Sequence, residues 1–313
     1  MILTLTPNPA VDVTYTLPAV RLGEVNRVTS VTEAAGGKGV NVARVLAQLG
    51  HPVTATGFLG GDTGVLLRRL LDGSGVTQRW LDVPQRTRRT TTLVDAAGAT
   101  LLNEPGPRLD PGAWADLAAL LTTSVGAGDV VVVSGSTPPG APDQALPTLL
   151  AAAAGRGART LVDTSGAGLL AAADAGADLL KPNEHELAEA TGAVDPVTGA
   201  RALIDRGAGA VVVSCGAAGL VAVVADGAAR PAWRARPAEV LSGNPTGAGD
   251  AAVAALALAL HADEPLATGL PAHLPDAVAL SGAAVLAPVA GAVDLTAYRR
   301  MRAAITVEEL DAR

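Results

Sequence analysis

The chain has 313 residues, of which 49% are hydrophobic, so it can bury a full core and fits one large α/β domain or one and a half smaller ones. We expect one core with an insertion. The formal net charge of −7 disfavours nucleic acid and acidic membrane surfaces as partners, because both call for basic stripes. The single cysteine, Cys215, excludes an intramolecular disulfide and a thiolate metal cluster, as expected in a reducing compartment such as the cytoplasm.

The first residues, 1–7, read as a β-strand without a basic leader, so we expect no signal peptide. The stretches 12–31 and 84–107 are polar and rich in Thr and Arg, and they predict one small β-layer with a turn at 95–98. Apolar stretches such as 251–260 fall well short of the roughly 20 residues that a membrane span requires. We therefore expect no membrane partner.

Short β-branched runs alternate with Ala- and Leu-rich helical patterns. Such continuous apolar runs suit strands that are covered on both faces, so the sequence predicts a mostly parallel sheet. The predicted strands are 129–134, 159–163, 177–180 and 210–214. Helix signals agree, because Asp110 followed by Pro111 is typical of a helix start. Glycines fall where helices are expected to end, at Gly50, Gly155, Gly192 and Gly207.

The tetrapeptide Gly-Ala-Gly-Asp occurs twice, at 126–129 and at 247–250. The first copy runs directly into a Val-rich strand, so we interpret it as a helix-to-strand turn. The second copy precedes a strong helix former, 251–258, so its amides are expected to point out of a helix N-terminus and bind an anion. Asp250 in that turn is predicted to be the base that deprotonates an acceptor hydroxyl.

The glycine pattern at 247–252 does not by itself decide for a nucleotide site. A dinucleotide site is disfavoured, because Asp250 would place negative charge near the pyrophosphate and no suitable acidic residue follows at a second strand end. The chain also lacks the Gly-x-x-x-x-Gly-Lys-Ser/Thr pattern of a P-loop.

A second glycine loop, 35–43, also precedes a helix. Lys38 offers a mobile positive charge and Asn41 a donor and acceptor amide, which suits a polyhydroxylated or phosphorylated ligand, although a surface loop with a solvated lysine is the alternative. Asp12 can accept hydrogen bonds from sugar hydroxyls or simply form a turn. Arg86, Arg88 and Arg89 form a basic cluster that is able to bind phosphate or to lie on a solvated strand face.

The segment 181–187 follows a predicted buried strand and begins a helix, which places Asn183 and Glu186 on one face. These polar groups can order Mg²⁺ through its waters, or they can form a helix capping box. The four histidines have no paired ligand spacing, so no zinc site is expected and no histidine is given a role.

Taken together, these segments resemble the phosphofructokinase B group of the ribokinase-like family, and in particular its 1-phosphofructokinase and tagatose-6-phosphate kinase branch. The resemblance spans nearly the whole chain. It rests on the segments 6–12, 22–27, 36–41, 103–107, 134–140, 163–166, 181–186, 214–216 and 247–250.

The resemblance implies one ribokinase-like kinase domain over 1–313. Its fold would be a three-layer α/β/α unit with a central, mostly parallel sheet and a small β-sheet lid. It also implies ATP and Mg²⁺ as cofactors and a sugar or sugar phosphate as the acceptor. The implied catalytic residues are Asp250 as base, with Gly247, Ala248 and Gly249 as the anion hole. The implied substrate contacts are Asp12, Gly37, Lys38, Asn41 and Arg88. The implied nucleotide contacts are Asn183, Ser214, Gly216, Gly219 and Ser281, with Asn183 and Glu186 organising the metal, Glu186 through water.

One departure concerns the lid, where the branch often shows Thr-Arg-x-Asn-x-Lys and this chain has Thr90 and Thr92 at the Asn and Lys positions. The first functional hypothesis is phosphorylation of a ketohexose phosphate, fructose 1-phosphate first and tagatose 6-phosphate second. The alternatives are a kinase of an unphosphorylated sugar, cyclitol or nucleoside, and a non-catalytic sugar- or nucleotide-binding regulator. A homodimer through the lid is a further hypothesis, because exposed sheet edges can pair.

Overall fold

Two β-sheets organise the chain in the computed structural model, which describes residues 1–239, 241 and 243–310. The strands are β1 (Ile2–Thr6), β2 (Ala10–Thr16), β3 (Ser30–Gly36), β4 (Val53–Leu59), β5 (Val76–Gln78), β6 (Leu81–Asp82), β7 (Arg88–Asp95), β8 (Gly98–Asn103), β9 (Val130–Ser134), β10 (Arg159–Asp163), β11 (Leu179–Leu180), β12 (Ala210–Ser214), β13 (Leu220–Val224), β14 (Ala232–Arg236) and β15 (Thr306–Leu310).

The large sheet has the strand order β15-β14-β13-β12-β11-β10-β9-β1-β4-β5, and β6 pairs with β4. In this sheet, the neighbouring strands β5, β4, β1, β9, β10, β11 and β12 run parallel to one another. The pairs β12–β13, β13–β14 and β14–β15 are antiparallel. The predicted strands therefore form the parallel part. Their near-continuous Val and Leu content suits burial on both faces.

Helices cover both faces of this sheet. One hydrophobic core lies beneath the helices of one face, and a second lies beneath the helices of the other. The predicted three-layer α/β/α fold is thereby confirmed. None of the described helices combines the length and the apolar character needed to cross a membrane. The helices are α1 (Lys38–Gln48), α2 (Gly61–Leu71), α3 (Pro111–Ser124), α4 (Ala145–Ala154), α5 (Ala167–Asp174), α6 (Glu184–Thr191), α7 (Pro196–Arg206), α8 (Ala248–His261), α9 (Leu266–Val285) and α10 (Leu295–Arg302).

The small sheet has the order β3-β2-β7-β8 and forms the predicted β-layer. Val11 and Val13 on one face of β2 belong to the core that also includes Leu67 of α2. Side chains alternate along a strand, so Asp12 lies on the other face, where it pairs in register with Thr90 of β7. That one kinase domain spans 1–313 stays a prediction, and residues 240, 242 and 311–313 of that range lie outside the described part.

The helix ends follow the sequence signals. Asp110 accepts a hydrogen bond from the Gly112 amide at the start of α3, with Pro111 as the first helical residue. The C-caps of α4, α6 and α7 are glycines, and Gly50 follows the C-cap of α1 directly. The glycines that were expected to end helices are therefore confirmed.

The central strand β9 provides a test of the core. Val132 is fully buried between its register partners on β1 and β10, whereas Val194 is 91% exposed. Val132→Ala is expected to lower the free energy of unfolding by about 2 kcal/mol, from lost burial and a residual cavity. Val194→Ala, which makes the same chemical change at the surface, is expected to leave it nearly unchanged. Urea unfolding measures both values, and an equal effect of the two variants would contradict this placement of the core.

Candidate active site

Asp250 lies in the first turn of α8, one of the buried helices that pack against the large sheet. The helix N-cap is Gly247, whose φ of 89° lies in the left-handed region that favours glycine. A Cβ at Gly247 would also lie 3.1 Å from the Ala290 Cα. The second Gly-Ala-Gly-Asp copy therefore opens a helix, as the sequence predicts, and α8 begins at Ala248.

The first turn of α8 has free backbone donors. Within the described part of the chain, the amides of Gly249 and Asp250 have no backbone acceptor. Unpaired amides at a helix N-terminus combine with the helix dipole to attract anions. Gly247, Ala248 and Gly249 are thus placed where an anion can approach.

The first Gly-Ala-Gly-Asp copy has a different environment. Asp129 binds the N-terminal ammonium group at 2.6 Å and accepts a hydrogen bond from the Gly126 amide at 2.8 Å. Strand β9 begins at the next residue. The predicted helix-to-strand turn is confirmed, and this copy lies outside both of the clefts described below.

The Asp250 carboxyl is buried, and Asn41 donates a hydrogen bond from Nδ2 to Asp250 Oδ2 at 2.8 Å. Burial and the nearby Asp163 carboxylate raise the pKa of Asp250 to about 6, although Asn41, Lys38 and Lys181 act in the opposite direction. A carboxylate with a pKa near 6 is still ionised at neutral pH and is a stronger base than an ordinary aspartate.

A buried ion cluster lies beside Asp250. The Asp163 carboxylate is 3.4 Å from Lys38 Nζ and 3.5 Å from Lys181 Nζ, and it accepts a hydrogen bond from Ser134 Oγ at 3.0 Å. Burial by itself raises the pKa of Asp163, but the two lysines and Ser134 outweigh it and lower the pKa below its usual value. Burial likewise disfavours the charged form of Lys38, but Asp163, Glu186 and Asp250 raise its pKa. The cluster therefore holds the amines of Lys38 and Lys181 around one carboxylate at the cleft.

Lys181 is a site residue to which the sequence reasoning gave no role. It is almost fully buried, and a Cβ added at Gly249 would lie 3.7 Å from its Nζ, which places the amine beneath the anion-binding turn. A signal was present in the composition, since Lys38 and Lys181 are the only lysines among 23 lysines and arginines. The others are all arginines, and both lysines lie beside Asp163.

A cleft of about 420 Å³ joins these groups. It brings together most of the predicted site residues and five others, Thr90, Asn103, Asp163, Lys181 and Thr246. Its lining includes Gly37, Lys38, Asn41, Arg88, Thr90, Asn103, Asp163, Lys181, Asn183, Glu186, Ser214, Thr246, Gly247, Gly249 and Asp250.

Asp12 is the predicted substrate residue that does not line this cleft. Its carboxylate lies beneath Gly36, where a Cβ would approach Asp12 Oδ2 to 2.1 Å. Burial raises the pKa of Asp12 to about 6, while a hydrogen bond with Thr90 and the charges of Arg88 and Arg44 lower it. Asp12 thus lies behind Thr90, at the base of the lid.

The basic residues of the lid divide into two groups. Arg88 lines the cleft and donates from Nε to the Asn8 carbonyl at 3.1 Å and from Nη1 to the Glu104 carbonyl at 3.0 Å. Burial lowers the pKa of Arg88, with Asp12 and Glu104 opposing it. Arg86 pairs with Glu104 at 3.5 Å, and neither Arg86 nor Arg89 is part of the described cleft lining. The cations that face the cleft are therefore Lys38, Lys181 and Arg88.

A larger cleft of about 700 Å³ adjoins the first. The predicted nucleotide contacts Asn183, Ser214, Gly216, Gly219 and Ser281 all line it, together with Ala248 and Gly249. Asn183, Ser214 and Gly249 line both clefts, so the two spaces meet at the anion-binding turn. Gly219 also has a packing requirement, because its φ is +88° and a Cβ would lie 2.0 Å from the Ala235 carbonyl oxygen.

Asn183 and Glu186 form the capping box that the sequence left as an alternative. Asn183 Oδ1 accepts from the Glu186 amide at 2.8 Å, and Glu186 Oε2 accepts from the Asn183 amide at 2.9 Å. The other carboxylate oxygen, Glu186 Oε1, is 3.9 Å from Lys38 Nζ. The described residues contain no cluster of three or more His, Cys, Asp or Glu side chains able to hold a metal ion. This donor set suits an ion that is held through water rather than by several direct protein ligands.

The raised pKa of Asp250 has a consequence for stability. Between the unfolded value near 3.8 and the folded value near 6, the native state retains a proton that the unfolded state loses. The stabilising contribution is therefore complete below the unfolded pKa and is lost as the pH rises through the folded pKa. Asp250→Asn should gain up to about 3 kcal/mol of unfolding free energy relative to the wild type between about pH 4 and pH 7.

Urea unfolding at the two pH values measures this difference. Asp129→Asn is the matched control: burial raises the pKa of Asp129, but its bonds to the N-terminal ammonium group and the Gly126 amide outweigh this and lower the pKa below its ordinary value. Asp129 is therefore ionised in both the folded and the unfolded chain over most of this pH range, and the difference in stability between Asp129→Asn and the wild type should vary little from pH 4 to pH 7. A difference between Asp250→Asn and the wild type that does not vary with pH would contradict a raised pKa.

Three comparisons place this geometry among known proteins. The sequence profile of the pfkB family carbohydrate kinases matches residues 5–292. A 1-phosphofructokinase of Xanthomonas campestris pv. campestris is 40% identical over 274 residues, covering 83% of this chain and 84% of that protein. A 1-phosphofructokinase of Rhodobacter capsulatus is 40% identical over 263 residues, covering 82% of each.

The structural comparison agrees. The crystal structure of phosphofructokinase-2 from Escherichia coli in complex with fructose-6-phosphate has a TM-score of 0.86 and 30% sequence identity, covering 97% of this chain and 98% of that chain. The family match spans both clefts and the helix that carries Asp250. The resemblance predicted from the sequence is confirmed: this chain belongs to the pfkB family of carbohydrate kinases.

Proposed function

We propose that this protein is a 1-phosphofructokinase, which transfers the γ-phosphoryl group of ATP to the 6-hydroxyl of fructose 1-phosphate. The observation that carries the proposal is the meeting of two clefts at one helix N-terminus, with a buried carboxylate and two lysines around it. The larger cleft is assigned to ATP and the smaller one to the sugar phosphate. The two relatives that are 40% identical are both 1-phosphofructokinases, which supports this acceptor.

The chemical step requires a base, charge stabilisation and alignment. Asp250 accepts the proton of the sugar hydroxyl, and the hydroxyl oxygen forms a bond to the γ-phosphorus. The bond between that phosphorus and the oxygen bridging to the β-phosphate breaks, and ADP leaves. We assign the amides of Gly249 and Asp250 and the amines of Lys38 and Lys181 to stabilise the charge on the transferring group; their proximity to one another supports this.

Two anionic substrates must enter a chain whose net charge is −7. The smaller cleft supplies the positive charge that these substrates need, because it is lined by Lys38, Lys181 and Arg88. Arg88 lies on the lid side, where part of its guanidinium is fixed by two carbonyl groups. We assign Arg88 to the phosphate that the sugar already carries, while Thr90 provides a neutral hydroxyl beside it.

Mg²⁺ belongs to the proposal as the partner of ATP. The chemistry that a bound Mg²⁺ would supply is neutralisation of charge on the phosphate groups of ATP. Glu186, with one carboxylate oxygen outside the capping box, is assigned to order the water around it, and Asn183 orients Glu186. A reducing, cytoplasmic location is part of the same proposal, because the lone Cys215 is a buried thiol.

The direct test is ADP formation by the purified protein with ATP, Mg²⁺ and a panel of acceptors. Fructose 1-phosphate should stimulate ADP formation above a sugar-free control and more than fructose 6-phosphate, tagatose 6-phosphate, fructose, inositol or adenosine. A preference for an unphosphorylated acceptor would overturn the assignment of Arg88 to a sugar phosphate. Ligand binding without ADP release for every acceptor would indicate a regulator and overturn the proposal.

The base assignment has a matched pair of variants within the repeated tetrapeptide. Asp250→Asn should lower kcat with fructose 1-phosphate by about 10²- to 10⁴-fold, because the base is lost while the loop keeps its shape. Asp129→Asn changes the same residue in the other copy, outside the clefts, and should leave kcat unchanged. Steady-state kinetics at saturating ATP decide this, and full activity of Asp250→Asn would refute its role as base.

We also propose that two copies of the chain associate through their lids. The small sheet ends in β8, whose six residues are all exposed, including Leu101 at 51% and Leu102 at 54%. Exposed apolar side chains on an edge strand, which has one side without a partner strand, favour association with another sheet. A second lid would cover them.

Light scattering coupled to size-exclusion chromatography tests this association. The wild type should have the mass of a dimer, and Leu101→Glu/Leu102→Glu should have the mass of a monomer with unchanged far-UV circular dichroism. Val194→Glu, at an exposed position remote from the lid strands, is the control and should stay dimeric. A wild-type monomer across working concentrations would contradict the proposal.

A further inference from the structure

A single side-chain hydrogen bond joins helix α1 to the proposed base. Asn41 is 6% exposed, and its Nδ2 donates to Asp250 Oδ2 at 2.8 Å. Among the described residues, Asn41 is the only side chain that donates a hydrogen bond to Asp250. The second oxygen, Asp250 Oδ1, therefore remains available to an acceptor hydroxyl.

The position of Asn41 is itself constrained from two sides. Gly39, in the same helical turn, lies so close to β1 that a Cβ would be 2.5 Å from Thr6 Oγ1 and 3.0 Å from the Leu5 carbonyl oxygen. On the other side is Gly291, where a Cβ would be 2.9 Å from Asn41 Oδ1. The close packing of β1 and of Gly291 leaves the amide of Asn41 little room to turn away from Asp250.

The sequence resemblance assigns Asn41 to sugar binding, but its donor group is directed to Asp250. Its Oδ1 is buried and has no hydrogen-bond partner among the described residues. The side chain therefore places its NH₂ group, rather than its oxygen, at the proposed reaction centre. A carboxylate held through one oxygen has a restricted orientation, which matters because proton transfer needs close alignment.

We propose that Asn41 is a positioning residue, which holds one oxygen of Asp250 so that the other faces the acceptor hydroxyl. The inference rests on the proposed function, because it requires Asp250 to be the base. A positioning residue can be distinguished from a sugar contact by experiment. A group that binds Asp250 changes the pKa of Asp250 even when no sugar is present, whereas a group that binds only the sugar does not.

Four groups from three parts of the fold act on the ionisation of Asp250. Asp163 at the end of β10 disfavours the ionised form, whereas Lys38 of α1, Lys181 after β11 and the amide of Asn41 favour it. Removing only the Asn41 donor leaves Asp163 and the burial of the carboxyl in place. The pKa of Asp250 should then rise from about 6. In a plot of kcat against pH, the acid limb, where activity falls because the base becomes protonated, should move to higher pH with it.

Two variants separate positioning from sugar binding. Asn41→Leu removes both polar groups with a similar side-chain volume, and Asn41→Asp keeps an acceptor oxygen but replaces the donor with a second carboxylate. The expected result is an upward shift of the acid limb of kcat by about one pH unit for Asn41→Leu and by more for Asn41→Asp. If only the KM for the sugar rises and the acid limb stays in place for both variants, Asn41 is a sugar contact and the proposal is wrong.

A measurement without substrate keeps this inference distinct from the proposed function. Carbon-13 NMR of aspartate-labelled, ligand-free protein follows the Asp250 carboxyl, identified by the signal that disappears in Asp250→Asn. Its pKa should be higher in both Asn41 variants than in the wild type, and equal values would overturn the proposal. Circular dichroism checks that each variant is folded, and if Asn41→Leu is not, Asn41→Asp decides the result. Absence of ADP formation by the wild type would refute the proposed function alone.

Discussion

The arrangement of the site depends on the Asp163 carboxylate, which is fully buried and paired with Lys38 and Lys181. A buried carboxylate without partners would carry a large desolvation cost, and removing either amine would leave part of that cost unpaid. The lysines depend on Asp163 in turn, since it is the carboxylate with which both form ion pairs. This mutual requirement fixes two amines beside the N-terminus of α8, which is where a transferring phosphoryl group needs positive charge.

Sheet topology explains how residues distant in sequence come together. Ser134, Asp163 and Ser214 are the last residues of β9, β10 and β12, and Lys181 follows β11 directly. These strands are parallel neighbours, so their carboxyl ends meet at one edge of the sheet, where ligands of open α/β sheets bind. The lid adds Arg88 and Thr90 to the smaller cleft, and α8 adds Asp250. The site is therefore built on rigid elements.

The parallel strands and helix ends were predictable because their signals are local: Val-rich runs, Asp110 before Pro111, and glycines at the ends of helices. The position of Asp250 at the start of a helix was predictable from the strong helix former that follows its loop, which distinguishes it from Asp129. Lys181 was missed because its partner, Asp163, is close only in the folded chain, and the position of Asp12 behind Thr90 depends on strand register. Strand β15 depends likewise on distant pairing, since its partner β14 lies 70 to 78 residues earlier in the chain. The Asn41–Asp250 bond joins two helices more than 200 residues apart, and no local pattern indicates it.

The central claim is that Asp250, the two lysines and the turn at Gly247 act on one reacting group. A crystal structure with fructose 1-phosphate, Mg²⁺ and a non-hydrolysable ATP analogue tests it most directly. The account predicts the 6-hydroxyl of the sugar within hydrogen-bond distance of the free oxygen of Asp250, and the γ-phosphate analogue in contact with Lys38, Lys181 and the Gly249 amide. A sugar bound with every hydroxyl beyond the reach of Asp250, or a γ-phosphate analogue remote from both lysines, would contradict it.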